Sequence, residues 1–286
     1  VDRAEERIEG PDDANDLRGF HFKQLINKPL TVGLVGGISL AVGIVLAVAV
    51  SPVVGLIALV VLVLAGIGIV FALADAKAAD SFFDVYAKQR GLVLGERSSL
   101  PAATPLLRKG DERYATRTLS GALADGVDGT LALYTYEETT YNAATKSNQT
   151  SYYHYTLGLV EVPECVRFVP ELYCQRKFGL RALEGFEDVF RGSKNRVELE
   201  SEALADKYEI FTREGQDETW LRRLLAPTFI VWLTDAAPEK FAFELVNGTL
   251  CCYVSGNKEG SADLDAILAA TAAVATRLRE ETAETG

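Results

Sequence analysis

From residue 29 to residue 74 the chain carries no Asp, Glu, Lys or Arg; Lys28 and Asp75 are the charges that bracket the run. Ser51-Pro52 divides it into two apolar segments, residues 30–50 and 53–74. A bilayer core of about 30 Å is crossed by roughly 20 apolar residues at a helical rise of about 1.5 Å each. Each segment has that length. Only helices and closed barrels satisfy their backbone in lipid, and barrel strands alternate polar with apolar residues, which these segments do not. The run therefore predicts two membrane-spanning helices joined by a tight turn. A buried helical pair in a soluble core is the rival, but so long a run without charge exceeds what a core element usually offers. Pro29 and Pro52 suit the first turn of each helix, where a missing N–H costs nothing, and Ser51 suits an N-cap.

So short a turn makes the helices antiparallel, with both outer ends in one compartment. Arg18, Lys23 and Lys28 flank the first end; Lys77, Lys88 and Arg90 flank the second. By the positive-inside rule both termini are cytoplasmic, in a cell membrane crossed twice. Gly33 and Gly37 form a G-x-x-x-G pair, which lets helix backbones approach closely. Two uses stay open for it: packing of the two helices on each other, or self-association of whole hairpins. Neither span holds an ionisable residue, which argues against a proton relay or ion path carried by this hairpin alone.

The formal net charge is −11. An acidic chain lacks the basic face that nucleic acid requires, so nucleic acid is not an expected partner. Cys165, Cys174, Cys251 and Cys252 fit neither a C-x-x-C pair nor a zinc spacing and read as buried small side chains, kept reduced on the cytoplasmic side. His21 and His154 are the only histidines, and neither has a ligand partner three or four residues away. No phosphate-binding loop, dinucleotide fingerprint or G-x-S-x-G is present. The sequence names no catalytic residue, cofactor or metal ligand, and the expected class is not an enzyme.

Along the chain, residues 1–28 read as a flexible acidic tail, 29–75 as the membrane hairpin, 76–91 as a membrane-proximal helix and 92–286 as one cytoplasmic domain. Phe82, Phe83, Val85 and Tyr86 form an apolar stripe that packs on the domain or lies along the membrane. Residues 91–113 read as loop, broken by Pro101 and Pro105. Residues 114–163 read as an antiparallel meander, with six tyrosines between Tyr134 and Tyr155. Tyrosine suits cross-strand packing, and a recognition surface including Tyr134, Tyr136, Tyr152 and His154 is the sharper reading. A strand interrupted by Pro170 follows, over residues 166–173. Arg176, Lys177, Arg181, Arg191, Lys194 and Arg196 concentrate positive charge. They form a mixed solvated surface or a patch that meets lipid headgroups or an acidic partner, with Arg176, Lys177 and Arg181 as candidate contacts. Two short strands, 196–200 and 207–212, come next. Asp217 caps a helix whose apolar face is Trp220, Leu221, Leu224 and Leu225, and Pro227 kinks or restarts it. Asn247-Gly248 is the strongest turn signal in the chain. The last helix starts at Ser261 and repeats Leu264, Ile267, Leu268, Thr271, Ala275 and Leu278 at helical spacing.

The Glu200-Ser201 pair, Tyr208, Leu224-Leu225-Ala226-Pro227, Trp232-Leu233 and the turn at Asn247-Gly248 resemble a group of uncharacterised actinobacterial membrane proteins. The resemblance implies membrane anchoring and a bacterial source, and carries no activity or site. The expected fold class is α+β: a two-helix transmembrane hairpin, then a soluble domain of mainly antiparallel strands with a C-terminal amphipathic helix. A strongly bent, pleckstrin-homology-like sheet is one architecture that suits it. The expected function is a membrane-anchored, non-enzymatic adaptor or scaffold whose partners are the lipid bilayer and another protein. The alternatives are a membrane-associated enzyme or transport subunit with a tyrosine- and carboxylate-lined pocket, and a lipid-surface sensor.

Overall fold

The computed structural model describes residues 17, 22, 29–144, 146–177 and 194–285, with backbone alone at 29–36 and 194. The expected acidic tail, apart from Leu17 and Phe22, and Arg181 and Arg191 of the basic concentration lie outside these residues. The chain divides into two compact units, residues 1–86 with 259–261, and residues 87–258 with 262–286.

The first unit is built on two helices, α1 (Pro29–Ala49) and α2 (Pro52–Arg90). Val50 and Ser51 make the link, both bonding back to the Leu46 carbonyl, and the Ser51 hydroxyl accepts from Val54 N–H at 3.3 Å. Ser51 is therefore the N-cap of α2. Backbones approach closely at Gly43 and Gly55. A Cβ on Gly55 would overlap Ala47 and the Gly43 carbonyl, and one on Gly43 would stand 3.1 Å from Leu59 Cβ. Of the two uses read for the Gly33–Gly37 pair, packing of the two helices on each other is not seen at Gly37. A Cβ on Gly37 would have nothing within 4 Å, and Gly33 lies where only backbone is described. The close approach falls next to the link because a two-residue connection fixes that end.

α2 is long and apolar enough to cross a membrane. Its apolar side chains face outward: Leu56 is 63% exposed, Ile57 59% and Leu64 63%, and on α1 Val48 reaches 85%. Phe22 meets Phe71 edge-on at 5.9 Å and packs with Val70 and Ala74. The helix continues without interruption through the expected boundary at residue 75, and Phe82, Phe83 and Tyr86 are buried. It ends at Gly91, whose φ of +66° and the bonds Gly91 N–H to Lys88 O and Leu92 N–H to Ala87 O complete a Schellman cap.

In the second unit the strands are β1 (Val93–Gly95), β2 (Glu112–Ala124), β3 (Val127–Asn142), β4 (Ser147–Glu161), β5 (Glu171–Arg176), β6 (Lys194–Arg196), β7 (Tyr208–Arg213), β8 (Ala242–Val246) and β9 (Thr249–Ser255). Among the described residues they form one nine-stranded antiparallel sheet in the order β1-β2-β3-β4-β9-β8-β5-β7-β6. The last hairpin therefore lies in the middle of the sheet. Its turn, Asn247-Gly248, has φ of 49° and 88°, the left-handed pair that a two-residue hairpin needs.

Several expectations shift. The segment read as loop contains β1 and a one-turn helix, α3 (Pro105–Arg108). β2 begins at Glu112 rather than at Tyr114. The strand expected over 166–173 begins only after Pro170, because proline supplies no N–H to a ladder. The strand expected over 207–212 is present as β7, but most of 196–200 is not strand, and α4 (Glu202–Lys207), capped by Ser201, leads into β7. The helix expected after Asp217 is α5 (Glu218–Leu224), with Asp217 Oδ1 accepting from Thr219 and Trp220 N–H at 2.9 and 3.0 Å. Pro227 restarts the chain as α6 (Pro227–Val231).

The C-terminal helix α7 (Ser261–Thr285) buries Leu264, Ile267, Leu268, Thr271, Ala275 and Leu278, the stripe read from the sequence. It lies on one face of the sheet, where Thr282 Oγ1 bonds Cys165 Sγ at 3.2 Å and Arg279 reaches Glu164, the Gly126 carbonyl and the Glu161 carbonyl. Buried Glu281 holds Arg223 and Arg277, tying α7 to α5. Gly158 on β4 makes room for this helix: a Cβ there would overlap the Thr271 side chain. The Gly158→Ala variant is expected to lose about 1–3 kcal/mol of stability by overpacking. Combining it with Thr271→Ala is expected to recover part of that loss, and a double-mutant cycle of urea midpoints checks both.

Candidate functional site

Two places on the sheet gather the side-chain types from which sites are made. The first is the face opposite α7. Pairing of β3 with β4 sets Tyr134 opposite Tyr155 and Tyr136 opposite Tyr153. Tyr136 stacks on Tyr153 at 4.8 Å and on Tyr155 at 5.9 Å, and Tyr155 meets Tyr253 edge-on at 5.9 Å. Glu244 on β8 enters this group fully buried. Leu106 N–H donates to Glu244 Oε2 at 3.1 Å, Tyr253 OH to Oε1 at 3.4 Å, and Tyr134 OH to the Leu106 carbonyl at 3.4 Å. The carboxylate thereby fixes α3, whose Leu106 and Leu107 cover the tyrosines. Arg108 secures the preceding loop by bonding the carbonyls of Ala102 and Ala103.

Burial governs the ionisation of this cluster. It pushes the phenols of Tyr134, Tyr136, Tyr173 and Tyr253 far above their ordinary range, and that of Tyr155 up to about 12. The thiols of Cys174, Cys251 and Cys252 are likewise pushed well up. Neutral phenols and thiols at physiological pH make poor nucleophiles. Lys109 moves the other way, down to about 8, because burial disfavours its ammonium more than Glu138 and Glu244 favour it. Chemically, the cluster is a group of tyrosines packed about one carboxylate that accepts from the Tyr253 hydroxyl and the Leu106 N–H. No group of three His, Cys, Asp or Glu able to hold a metal occurs among the described residues.

The second place is the far end of β3 and β4. Their register runs to Asn142 opposite Ser147. β2 stops pairing with β3 at Glu137, and β9 stops pairing with β4 at Tyr155. Beyond those points the two strands continue as a ribbon, with Tyr141 61% and Tyr152 56% exposed. Thr139 and Thr150 pair across it through their hydroxyls at 3.0 Å, and Asp111 accepts from Thr139 N–H at 2.8 Å.

The candidate binding residues separate. Tyr152 is exposed on the ribbon; His154 is exposed at its base, its Nδ1 2.9 Å from Thr135 Oγ1. Tyr134 and Tyr136 are 1% and 0% exposed, which removes them from any recognition surface. Alternation places them on one face of β3, but both faces of the sheet are covered there, so alternation alone does not mark a solvent face. Arg176 lies over the Tyr208 ring at 5.0 Å, and Lys177 is exposed with its N–H on the Lys207 carbonyl. Both sit at the end of β5, with β8 and β9 between it and β4, away from Tyr152 and His154. Arg181 lies outside the described residues. Sequence reasoning missed Glu244 and Lys109. A lone carboxylate inside the apolar run Phe241-Ala-Phe-Glu-Leu-Val246 was the available signal.

No protein-family model, no curated protein and no solved structure matches this chain.

The Lys109 shift sets a pH dependence. Its folded value is lowered from 10.5, so between about pH 8 and about pH 10 the unfolded chain binds more protons and the Lys109 contribution to stability rises with pH. Relative to wild type, Lys109→Met is expected to lack that rise, seen as a smaller gain in urea midpoint across the window.

Proposed function

We propose that this protein is anchored in a membrane by α1 and α2, which cross the bilayer as an antiparallel pair, and that its sheet domain serves as a non-enzymatic adaptor that binds another protein. The outward display of apolar side chains on both helices carries this reading. Contiguous apolar surface of that extent is not left to water by monomeric proteins. At roughly 25 cal/mol per Å² its transfer into hydrocarbon is strongly favourable. The close Gly43–Gly55 approach supports pairing in lipid, where small residues let backbones touch.

The positive flanks Lys77, Lys88 and Arg90 support a cytoplasmic location for both termini and the domain. Membership in the actinobacterial group of membrane-anchored proteins belongs to the same proposal. The adaptor role is supported by an exposed ribbon extending past the packed sheet, and by tyrosine and cysteine side chains held neutral by burial.

The test is alkaline carbonate extraction of cell membranes. The full chain is expected to stay with the lipid. The double variant Val61→Arg and Leu64→Arg places two charges in the second span, each costing about 2.5–3.5 kcal/mol on the insertion scale. It is expected to shift a large share of the chain to the soluble or aggregated fraction. Complete extraction of the wild type would contradict the anchor.

A further inference from the structure

We propose that the free edge of β4 on the ribbon pairs with the same edge of a second copy of this chain, antiparallel and centred on Thr150, joining two sheets through a two-fold axis. The His154 carbonyl accepts from Gly256 N–H at 2.7 Å, so it faces the side on which β9 lies. Alternation along a strand then turns the N–H and C=O of Tyr152, Thr150 and Asn148 to that same side, past the end of β9. The intervening residues, 149 and 151, bond inward to β3, opposite Thr140 and Glu138. Among the described residues no strand continues β9 along this edge.

Edges of this kind are ordinarily protected by Lys, Pro, a bulge or a covering element. Between Lys146 and Glu161 the chain has no charged residue and no proline, and the β3–β4 register is continuous. The side chains from Asn148 to Tyr152 on this edge are exposed.

Charge selects the partner. In a chain of net charge −11, two copies repel over most of their surface. A neutral stretch such as 147–160 is where they can meet without setting like charges against each other. Centred on Thr150, the antiparallel register sets Thr150 against Thr150 and each Asn148 against the Tyr152 of the second copy. That arrangement is isologous and closes on itself as a dimer. It forms on the order of six main-chain hydrogen bonds, two at each facing pair. A bilayer that confines the chains raises their effective concentration further. The inference goes beyond the anchoring proposal and does not depend on it, since the edge exists whether or not α1 and α2 cross a membrane.

The experiment is disulfide trapping of the full chain purified into phospholipid vesicles, with copper phenanthroline as oxidant. The native cysteines are buried and stay in place. A Thr150→Cys residue would face its copy at a Cα separation of about 5.5 Å, inside the range a disulfide spans. Glu214→Cys is the exposed control away from the ribbon. Covalent dimer at Thr150→Cys is expected to exceed that at Glu214→Cys by about tenfold or more. Adding Asn148→Pro removes an outward N–H that the ribbon itself does not use, and is expected to return trapping to the control level without changing the thermal melt. Equal trapping at the two positions would point to association elsewhere, such as through the apolar helices, and would overturn the proposal. So would trapping at Thr150→Cys that survives Asn148→Pro, or a ribbon adduct formed only with a different protein in cells.

Discussion

The pairing of β4 with β9 holds the sheet together. It joins the meander β1–β4 to the block β9-β8-β5-β7-β6, and without it the sheet would be two separate pieces. The two strands lie nearly a hundred residues apart, so the pairing fixes a long loop and depends on good local reinforcement. That reinforcement is present at both ends. Thr156 Oγ1 donates to the Gly256 carbonyl at 2.9 Å and accepts from Lys258 N–H at 2.8 Å. At the other end Val162 N–H bonds the Gly248 carbonyl at 2.7 Å. On one face Gly158 lets α7 lie directly on the joint; on the other Tyr155 and Tyr253 meet beneath α3. Among the described residues β4 has no neighbour past the end of β9, and the same joint that closes the core thus borders the open edge of the ribbon.

A buried carboxylate performs the corresponding task for the covering segment. Glu244 bonds the Leu106 backbone and the Tyr253 hydroxyl, so α3 and the loop before it are fixed by polar contacts over a face made largely of tyrosine. Buried polar networks of this type favour one arrangement over competing ones when their members are satisfied. The tyrosines are then packing residues; Tyr134 and Tyr253 place their hydroxyls on the Leu106 carbonyl and Glu244, the buried Tyr136 hydroxyl has no hydrogen-bond partner among the described residues, and the exposed aromatic side chains of the region are Tyr141 and Tyr152 on the ribbon.

Local signals carried much of this into the sequence. The α7 stripe, the Asp217 and Ser51 caps, the Asn247-Gly248 turn and the Pro227 restart each depend on residues close together in the chain, and each stands where the pattern places it. The strand order was not legible, because inserting β8 and β9 between β4 and β5 is a tertiary choice with no local signature. The same limit hid the fate of Tyr134 and Tyr136. Alternation assigns them a face but not what covers it, and α3 is too short to announce itself by periodicity. The close approach at Gly43 and Gly55 was not legible for a related reason. G-x-x-x-G marks where backbones can approach, while the two-residue link decides that they do so at Gly43 and Gly55.

In the proposed anchor both apolar helices cross the bilayer, with the link at Val50-Ser51 on one side and the sheet domain on the other. Single cysteines at Val50 and at Glu214 of the full chain, labelled with a membrane-impermeant maleimide in intact cells and in inverted membrane vesicles, test this directly. Labelling of Val50→Cys only in intact cells and of Glu214→Cys only in inverted vesicles is the expected result. Labelling of both from the same side would contradict the two-span anchor.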